Sequence, residues 1–354
     1  MPRLDDLLIH QNYGTLDNVV EPDPRFFDRF YFNLQDISGQ LSISQGIGVY
    51  PNMGVSDGFS CIATPEFQIN VRASRELVNG DRDIMAVGPV HAEVVEPMTT
   101  WRFRLDENES GARYDITYTG SFEAMEPKRL VSMVDGRRVW DWTHFGHVGR
   151  ASGWLELDGT RTEITPDRHY VLRDRSWGVR PGVAVIEDIS NWFTSANWGE
   201  RYNWCVIQVE SFYLWYFQTH ERDETPRFFE SMIRWSTAKG GGQEKVAKLV
   251  RRLRFEGNEH FLGAEVDLHL ESGRVLTIEM ERLPTTVHLK GANYGGRDGI
   301  YQGMRQGPLK IMVDRWEPAD SRLNPASLGM QDHVVRVKYG EETGYGICEL
   351  SYGS

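Results

Sequence analysis

The sequence predicts an all-β protein made of two antiparallel β-barrels in tandem, with few helices. Three observations lead to this prediction. Apolar and polar residues alternate with a period of two along most of the chain, Asp-Gly and Ser-Gly pairs separate successive runs, and the 354 residues exceed one ordinary domain. A period of two is typical of strands that bury one face, and strands joined by short turns form antiparallel sheets.

Alternating runs occur in both halves of the chain. In the clearest one, Val266, Leu268 and Leu270 alternate with acidic residues and a histidine. An apolar face of this kind must pack against another layer, so each run predicts a strand at the surface of a core. The other such runs are Phe67–Val71, Trp101–Leu105, Tyr114–Tyr118 and Leu276–Met280.

Turn signals separate the runs, and helical signals are few. Asp135-Gly136, Asp158-Gly159 and Ser272-Gly273 each lie between two runs, and Asp-Gly pairs adopt the positive φ angles that tight hairpins need. Helical spacing is found over Gln243–Arg254, and a second helical start precedes Arg227–Trp235. Both stretches are also compatible with strands.

The chain divides into a lead-in and two halves of similar size. Residues 1–25 are expected to be irregular, residues 26–181 to form the first barrel and residues 182–354 the second, with a break near Arg180-Pro181-Gly182. A sheet of eight or more strands tends to close, because closure removes its exposed edges. A small closed barrel has room for one apolar ligand.

Charge and composition limit the classes of partner. A formal net charge of −12 disfavours nucleic acid and anionic membranes. The 11 Trp, 14 Tyr and 16 Phe residues favour strands and a pocket for a hydrophobic small molecule. Three scattered cysteines do not indicate a disulfide framework. With neither a signal peptide nor an apolar stretch of membrane-spanning length, we expect a cytoplasmic protein without membrane insertion, and the sequence specifies no oligomeric state.

One segment, His169–Arg180, concentrates groups that can carry chemistry. In a strand, Asp174 lies on the same face as Tyr170, while Arg173 and Trp177 lie on the other face. A carboxylic acid among aromatic rings has a raised pKa and can donate a proton, and the ring faces can stabilise a developing carbocation. Asp174 is also compatible with a structural role as the ion-pair partner of neighbouring arginines.

Several motifs resemble a known family. Gly146–Gly153, Asp158-Gly159 and Arg173–Arg180, together with Phe30–Asn33 and Gly48–Pro51, are similar to segments of the hydroxyneurosporene synthase (carotenoid 1,2-hydratase) and AttH-like group. The resemblance covers the first half of the chain and extends to the second half only as a pattern. It implies a tandem lipocalin-like, calycin-type fold, which hosts hydratases of isoprenoid double bonds as well as pericyclases.

The resemblance also implies site residues. In the hydratases an aspartate of the corresponding strand is the acid, with Tyr and Trp nearby, which points to Asp174, Tyr170 and Trp177 in this chain. Relatives commonly have His after that aspartate, whereas this chain has Arg175. A guanidinium does not exchange protons near neutral pH, so we expect a mechanism other than an Asp-His pair.

Two histidines and a set of large side chains complete the candidate site. His144 and His147 are spaced as a metal-binding pair, but residues three apart in a strand face opposite sides and no third ligand follows, so we expect no metal. His147 is expected to be a polar pocket residue that orients Asp174 together with Tyr170, or a core histidine satisfied by a backbone carbonyl. Most rings of the second half are expected to pack in its core. The residues expected to contact the ligand are Trp177, Arg173, Arg180, Trp192 and Trp204.

One function and two alternatives follow. We expect a cofactor-independent hydratase, dehydratase or isomerase that acts by acid–base chemistry at a carbon–carbon double bond of a terpenoid, steroid or polyketide-like molecule. The first alternative is a non-catalytic carrier or sensor of a lipophilic ligand, and the second is a structural or interaction protein without an enclosed pocket. The glycine-rich stretch Gly291–Gly299 matches neither a P-loop nor a dinucleotide fingerprint.

Overall fold

Strands make up nearly all of the regular structure. The computed structural model describes residues 7–8, 10–78, 81, 84–134, 136–183, 201–221, 223, 225–257, 260–294, 300–317 and 330–352. Within these ranges there are 21 strands, three short 3-10 turns and no α-helix. The all-β class predicted from the period-two alternation is therefore confirmed. Over the same ranges, no helix has the length and apolarity needed to span a bilayer.

Twelve strands of the first half of the chain and one strand of the second half form a curled antiparallel sheet of 13 strands, which we call the first sheet. Its strands are β1 (Phe26–Asp36), β2 (Ser42–Tyr50), β3 (Val55–Ala63), β4 (Gln68–Glu76), β5 (Ala86–Val87), β6 (Val90–Glu96), β7 (Thr100–Leu105), β8 (Ala112–Gly120), β9 (Lys128–Val134), β10 (Arg137–Leu157), β11 (Thr160–Ile164), β12 (His169–Val179) and β19 (Leu309–Trp316). Their order is β19-β4-β3-β2-β1-β12-β10-β8-β7-β6-β5, and β9 and β11 pair with β10.

The second half forms a closed barrel of eight antiparallel strands, which we call the second barrel. Its strands are β13 (Arg201–Gln208), β14 (Phe212–His220), β15 (Pro226–Trp235), β16 (Gln243–Glu256), β17 (His260–Leu270), β18 (Val275–His288), β20 (Met330–Tyr339) and β21 (Glu342–Tyr352). They follow one another in chain order around the barrel except for β19, and β21 closes it by pairing with β13.

Two of the three predicted hairpin turns are present, and Asp135 of the third, Asp135-Gly136, lies outside the described residues. Asp158 and Gly159 have φ angles of 49° and 78° and connect β10 to β11. Two consecutive positive φ angles match the right-handed twist of the strands that they join. Gly273, with φ 86°, lies in the turn between β17 and β18.

The stretches with helical signals form strands. Arg227–Trp235 belongs to β15, and Gln243–Arg254 belongs to β16. A β-bulge between Val246 and Lys248 adds one residue to β16, so Val246 and Leu249 both pack on the barrel core despite their odd spacing. This bulge accounts for the helix-like pattern, and the helical interpretation was wrong.

Of the four apolar clusters among the described residues, three are large and one, around Phe27 and Tyr50, is small. One fills the first sheet and includes Phe32 and Trp101, and one fills the second barrel and includes Phe261. The third, which we call the inter-sheet cluster, lies between the two and includes Trp204 and Trp215. Because burying one Phe-sized side chain contributes roughly 1.5–3 kcal/mol, the inter-sheet cluster fixes the two sheets against each other.

One strand crosses between the halves. β19 lies inside residues 182–354, the range expected for the second barrel, yet it pairs with β4 and forms an edge of the first sheet. Asp314 on β19 bonds to Arg72 of β4, with 2.8 Å between Oδ2 and Nη2. The expected domain break near residues 180–182 follows directly after β12 and stays a prediction, since residues 184–200 lie outside the described ranges.

Candidate functional site

The site begins with the position of Asp174 on the first sheet. Asp174 lies in β12, between β1 and β10, where it pairs with Tyr31 on one side and Gly146 on the other. Paired residues of neighbouring strands point to the same face of a sheet. Asp174 and Tyr31 therefore share the face that packs on the second barrel, where Tyr31 belongs to the inter-sheet cluster. The predicted alternation along β12 is confirmed, since Arg173 contacts His147 on the other face.

The carboxyl group of Asp174 is poised to exchange a proton near neutral pH. Its side chain keeps 17% of its full exposure. Burial raises the pKa of Asp174 to about 7, although nearby arginines, Arg180 first, lower it. Its Oδ1 lies 3.9 Å from Nδ1 of His144, and within the described ranges no lysine or arginine comes within the 4.0 Å ion-pair distance of its carboxyl group. A carboxyl group in this environment is present in both protonation states at pH 7.

His144 lies between two tryptophan rings beside Asp174. Its ring is stacked on Trp142 with centroids 5.0 Å apart and lies 4.4 Å from the ring of Trp215. Burial lowers the pKa of His144 to about 3, so the imidazole is neutral. Neither ring nitrogen of His144 has a hydrogen-bond partner among the described residues, and the same is true of the indole nitrogens of Trp142 and Trp215. Asp174 therefore borders an aromatic wall with unused polar atoms.

Gly146 lets this wall form. A Cβ atom at Gly146 would lie 3.1 Å from Cδ1 of Trp215, which is tighter than ordinary contact. The carbonyl of Gly146 also accepts a hydrogen bond of 3.2 Å from the hydroxyl of Tyr213 in the second barrel. The glycine thus brings β10 close to the second barrel at the level of Asp174.

A second acidic group lies across from Asp174 on the second barrel. Asp332 of β20 and Glu349 of β21 pair with each other, and their exposed fractions are 0% and 4%. Asp332 accepts hydrogen bonds from the hydroxyl of Tyr31 and from Asn33, the latter at 3.1 Å. Glu349 bonds to Asp332 and to the hydroxyl of Tyr202. Two side chains of the first sheet therefore hold a buried carboxyl pair of the second barrel.

The two carboxyl groups of this pair differ in protonation. Burial raises the pKa of Asp332 to about 6, while the hydrogen bonds that it accepts oppose that effect. Burial and the neighbouring Asp332 raise the pKa of Glu349 well above its usual range. Because two adjacent buried carboxyl groups cannot both ionise at low cost, Glu349 keeps its proton and the pair carries at most one negative charge at pH 7. We call Asp332 and Glu349 the carboxyl pair.

Comparison with known proteins places the chain in a family. The family model described as "Family of unknown function (DUF8625)" matches residues 1–352. The chain belongs to this family. No curated protein matches the sequence of this DUF8625 member.

Solved structures share the fold of the DUF8625 chain. A protein from Nitrosomonas europaea assigned to AttH is 13% identical, covers 93% of each chain and has a TM-score of 0.57. Kievitone hydratase from Nectria haematococca is 11% identical over 92% of this chain and 89% of its own, with a TM-score of 0.48. CghA is 8% identical over 94% and 89%, with a TM-score of 0.42. The first of these structures, with its TM-score of 0.57, confirms the resemblance to the AttH-like group at the level of the fold.

In this DUF8625 protein, three of the predicted site residues lie on the face of the first sheet opposite to Asp174. Arg173 and His147 are buried inside the first sheet, 3.5 Å apart from Nη2 to Nδ1. Trp177 pairs with Asp28 and Thr143 and lies beneath the guanidinium of Arg175. The structure therefore does not bring His147 or Trp177 to the carboxyl group of Asp174.

His147 has a different environment from the one expected. Burial lowers the pKa of His147 to about 4, and its neutral ring bonds through Nε2 to the carbonyl of Phe122 at 2.7 Å. It lines a cleft of about 500 Å³ together with Met125 and Arg234. This matches the alternative in which a backbone carbonyl satisfies the histidine. Since His144 and His147 face opposite sides of β10, they cannot share an ion, and the described residues contain no group of three or more metal ligands.

The other predicted residues are divided between the site and its surroundings. Tyr170 shares the face of Asp174 but lies four residues away, about 13 Å along the strand, where its ring contacts Tyr345 and Arg150. Trp204 pairs with Glu349, and its ring lies 6.0 Å from that of Tyr31, so it borders the site. Arg180 also lies near Asp174, since it lowers the pKa of that carboxyl. Trp192 lies outside the described residues.

Sequence reasoning missed His144 as a neighbour of Asp174 and missed the carboxyl pair altogether. Asp332 alternates with Val335 and Val337, which face the barrel core, so the sequence shows only that Asp332 points away from that core. An outward carboxylate normally meets water. The one signal in the sequence was Glu349, an acidic residue inside the apolar run Ile347–Leu350.

Proposed function

We propose that this protein is an acid–base enzyme that hydrates, dehydrates or isomerises a carbon–carbon double bond of a hydrophobic small molecule, with Asp174 as the proton donor. One observation carries this proposal. Asp174 is a buried carboxyl with a pKa of about 7, it keeps 17% exposure, and it is bordered by aromatic rings rather than by a bonded cation. A structural ion-pair partner would have a lowered pKa and a close guanidinium contact.

The proposed hydration uses Asp174 twice. The protonated carboxyl gives its proton to one carbon of the double bond, and the π electrons form the new C–H bond. Water then adds to the neighbouring carbon, and the proton that it loses returns to the Asp174 carboxylate. One water is consumed and the acid is regenerated, and dehydration is the same sequence in reverse.

The aromatic wall supports this chemistry. Protonation of an alkene leaves positive charge on the neighbouring carbon, and the faces of Trp142 and Trp215 are electron-rich. The neutral imidazole of His144 between them adds no positive charge to oppose that cation. Such a wall stabilises the charge that develops in the transition state more than it stabilises the neutral substrate.

The carboxyl pair offers a second position for a proton. Tyr31 pairs with Asp174 in the sheet and bonds to Asp332 through its hydroxyl. In an isomerisation, Asp174 adds a proton to one carbon while Asp332, the ionised member of the pair, accepts a proton that leaves another carbon. Two groups with different protonation states are the arrangement that acid–base catalysis requires.

Isotope exchange tests the proposal whatever the identity of the product. The full chain is incubated with isoprenoid, steroid and polyketide alkenes in deuterium oxide and in oxygen-18-labelled water, and label entering carbon or oxygen is measured by mass spectrometry. We expect label with the wild type and its loss, by roughly 100-fold or more, with Asp174→Asn. Asp28→Asn is the matched control, because Asp28 pairs with Arg175. Unchanged exchange by Asp174→Asn overturns the proposal, and a lipophilic molecule that is bound and released without exchange indicates a carrier.

A further inference from the structure

Arg29 is a buried cation that forms no ion pair with the residues that the structure describes. It lies on β1 two residues before Tyr31, on the face of Asp174, and only 4% of it is exposed. Its hydrogen bond is to the hydroxyl of Tyr50, with 3.4 Å from Nη1, and its Nε has no partner among the described residues. No described carboxylate lies within 4.0 Å, the limit for an ion pair.

Arg180 is a second, half-buried cation directly after β12. Its Nη2 donates a hydrogen bond of 2.6 Å to Oε1 of Gln302. Within the described ranges, its Nε and the amide nitrogen of Gln302 have no partner. The guanidinium carbons of Arg29 and Arg180 lie 4.9 and 5.7 Å from the ring centroid of Tyr294. The N–H donors of both arginines therefore lie around the ring of Tyr294.

Among the described residues, the carboxyl groups that face Arg29 and Arg180 are those of Asp57 and Asp174. Asp57 is the carboxylate that most directly opposes Arg29, and its two oxygens already accept hydrogen bonds from Tyr50 and from the backbone of Gly303, at 3.1 and 2.8 Å. Asp174 carries at most part of a negative charge at pH 7. A buried guanidinium cannot lose its proton, and an uncompensated buried charge is strongly unfavourable. An anionic ligand would supply the missing charge.

We propose that Arg29 and Arg180 form an oxyanion-binding subsite beside Asp174, and that the ligand carries a carboxylate or enolate oxygen on an aromatic or alicyclic frame. The oxygen lies between the two guanidinium groups, and the frame packs against Tyr294. In the proposed reaction, which this inference extends, a substrate with an oxygen conjugated to the double bond reacts through an enolate. Water adds to the β-carbon and gives its proton to the Asp174 carboxylate, the π electrons move onto the oxygen, and the two arginines stabilise that charge until Asp174 returns the proton to the α-carbon.

The inference is tested by binding rather than by turnover. The full chain is titrated with 2-naphthoate and with its neutral amide, 2-naphthamide, and the affinities are measured by calorimetry or fluorescence. We expect the wild type to prefer the carboxylate by roughly tenfold or more. Arg29→Gln and Arg180→Gln each reduce that preference to less than about threefold, and Arg29→Lys, which keeps the charge, retains part of it.

Two controls separate this inference from the proposed function. Arg113→Gln removes an exposed cation that pairs with Glu156 elsewhere on the first sheet, and it leaves the preference unchanged. Asp174→Asn also keeps the preference, because it removes only a partial negative charge. The proposed subsite is contradicted if the wild type binds the two probes equally well or does not bind naphthoate. It is also contradicted if the preference for the carboxylate persists in both Arg29→Gln and Arg180→Gln. Loss of isotope exchange in Asp174→Asn, by contrast, concerns only the reaction. Circular dichroism checks that each variant is folded.

Discussion

The hydroxyl of Tyr31 on the first sheet donates a hydrogen bond to the carboxylate of Asp332 on the second barrel. Tyr31 is also the residue that pairs with Asp174 across the β1–β12 ladder. The side chain of Tyr31 thus bonds to Asp332 of the carboxyl pair, and its backbone lies beside Asp174, the proposed proton donor. The bond is fully buried, and its loss affects both the docking of the sheets and the protonation of the site.

Tyr31→Phe is expected to lower the free energy of unfolding by roughly 1–3 kcal/mol, because a buried acceptor loses its donor. The hydrogen bond from Tyr31 lowers the pKa of Asp332, so its removal raises that pKa above about 6. The loss of stability is therefore larger above pH 6, where the carboxylate needs the donor, than below it. Urea denaturation at several pH values measures the effect.

Tyr114→Phe is the matched control for this variant. Tyr114 is also buried, and its hydroxyl bonds to Ser60 and Gln45 inside the first sheet. Its removal is expected to cost about as much, without the pH dependence, because both partners are neutral. A loss for Tyr31→Phe that is the same at every pH would contradict the assigned role of Asp332.

Asp174 should make the protein less stable as the pH rises. Its pKa is about 7 in the fold and near 3.9 in an unfolded chain. Between these values the unfolded chain loses a proton that the folded chain keeps, so the free energy of unfolding falls by up to a few kcal/mol and then levels off. Asp174→Asn removes this pH-dependent loss of stability. The free energy of unfolding of the variant, relative to that of the wild type, therefore increases between about pH 4 and about pH 7. A constant difference over that range would show that the carboxyl is ionised in the fold.

His144 is expected to stay neutral over the range in which most histidines titrate. Its pKa is lowered to about 3 because it is buried between Trp142 and Trp215. Its ring nitrogens should keep the nitrogen-15 chemical shifts of a neutral imidazole between about pH 8 and about pH 5, apart from a small change when the neighbouring Asp174 ionises. His91, which is partly exposed beside Asp106, serves as the internal comparison. A midpoint for His144 near 6.5 would mean that the imidazole reaches water or shares a proton with Asp174.

Gly146→Ala tests the close approach of β10 to the second barrel. The added Cβ would meet Trp215 at 3.1 Å, and the resulting shift is expected to cost about 1–3 kcal/mol. Gly58→Ala is the control, since its Cβ would meet Ile47 and Val90 at 3.4 Å, an ordinary contact. Thermal unfolding compares the two variants, and equal melting temperatures would show that Trp215 moves away freely.

The sequence predicted local properties well because they follow from short-range chemistry. The alternation around Asp174, the Asp158-Gly159 turn and the all-β class depend only on strand parity and on allowed φ angles. The helical interpretation of β16 was wrong because a bulge at Val246 changes the parity within one strand. A single-residue insertion of this kind has no clear signature in the sequence.

The composition of the site could not be predicted, because it depends on contacts between distant parts of the chain. Asp332 is 158 positions after Asp174 in the printed sequence, and only the packing of the second barrel on the first sheet places its carboxyl against Tyr31. Likewise, Arg29 and Tyr294 meet through that packing. The alternation of side chains assigns the residues of β12 to two faces, but it does not show which of the two faces contains the site.

The position of β19 has a consequence for biosynthesis. The other strands of the first sheet are β1 to β12, which the ribosome makes early, but one edge of the sheet is supplied by residues 309–316. A ribosome must therefore make six strands of the second barrel, β13 to β18, before the first sheet has all its hydrogen-bonded neighbours. Until Trp316 leaves the exit tunnel, β4 presents an unpaired edge, the kind of surface that other nascent chains can join. A gene cut between the two halves would leave that edge open permanently.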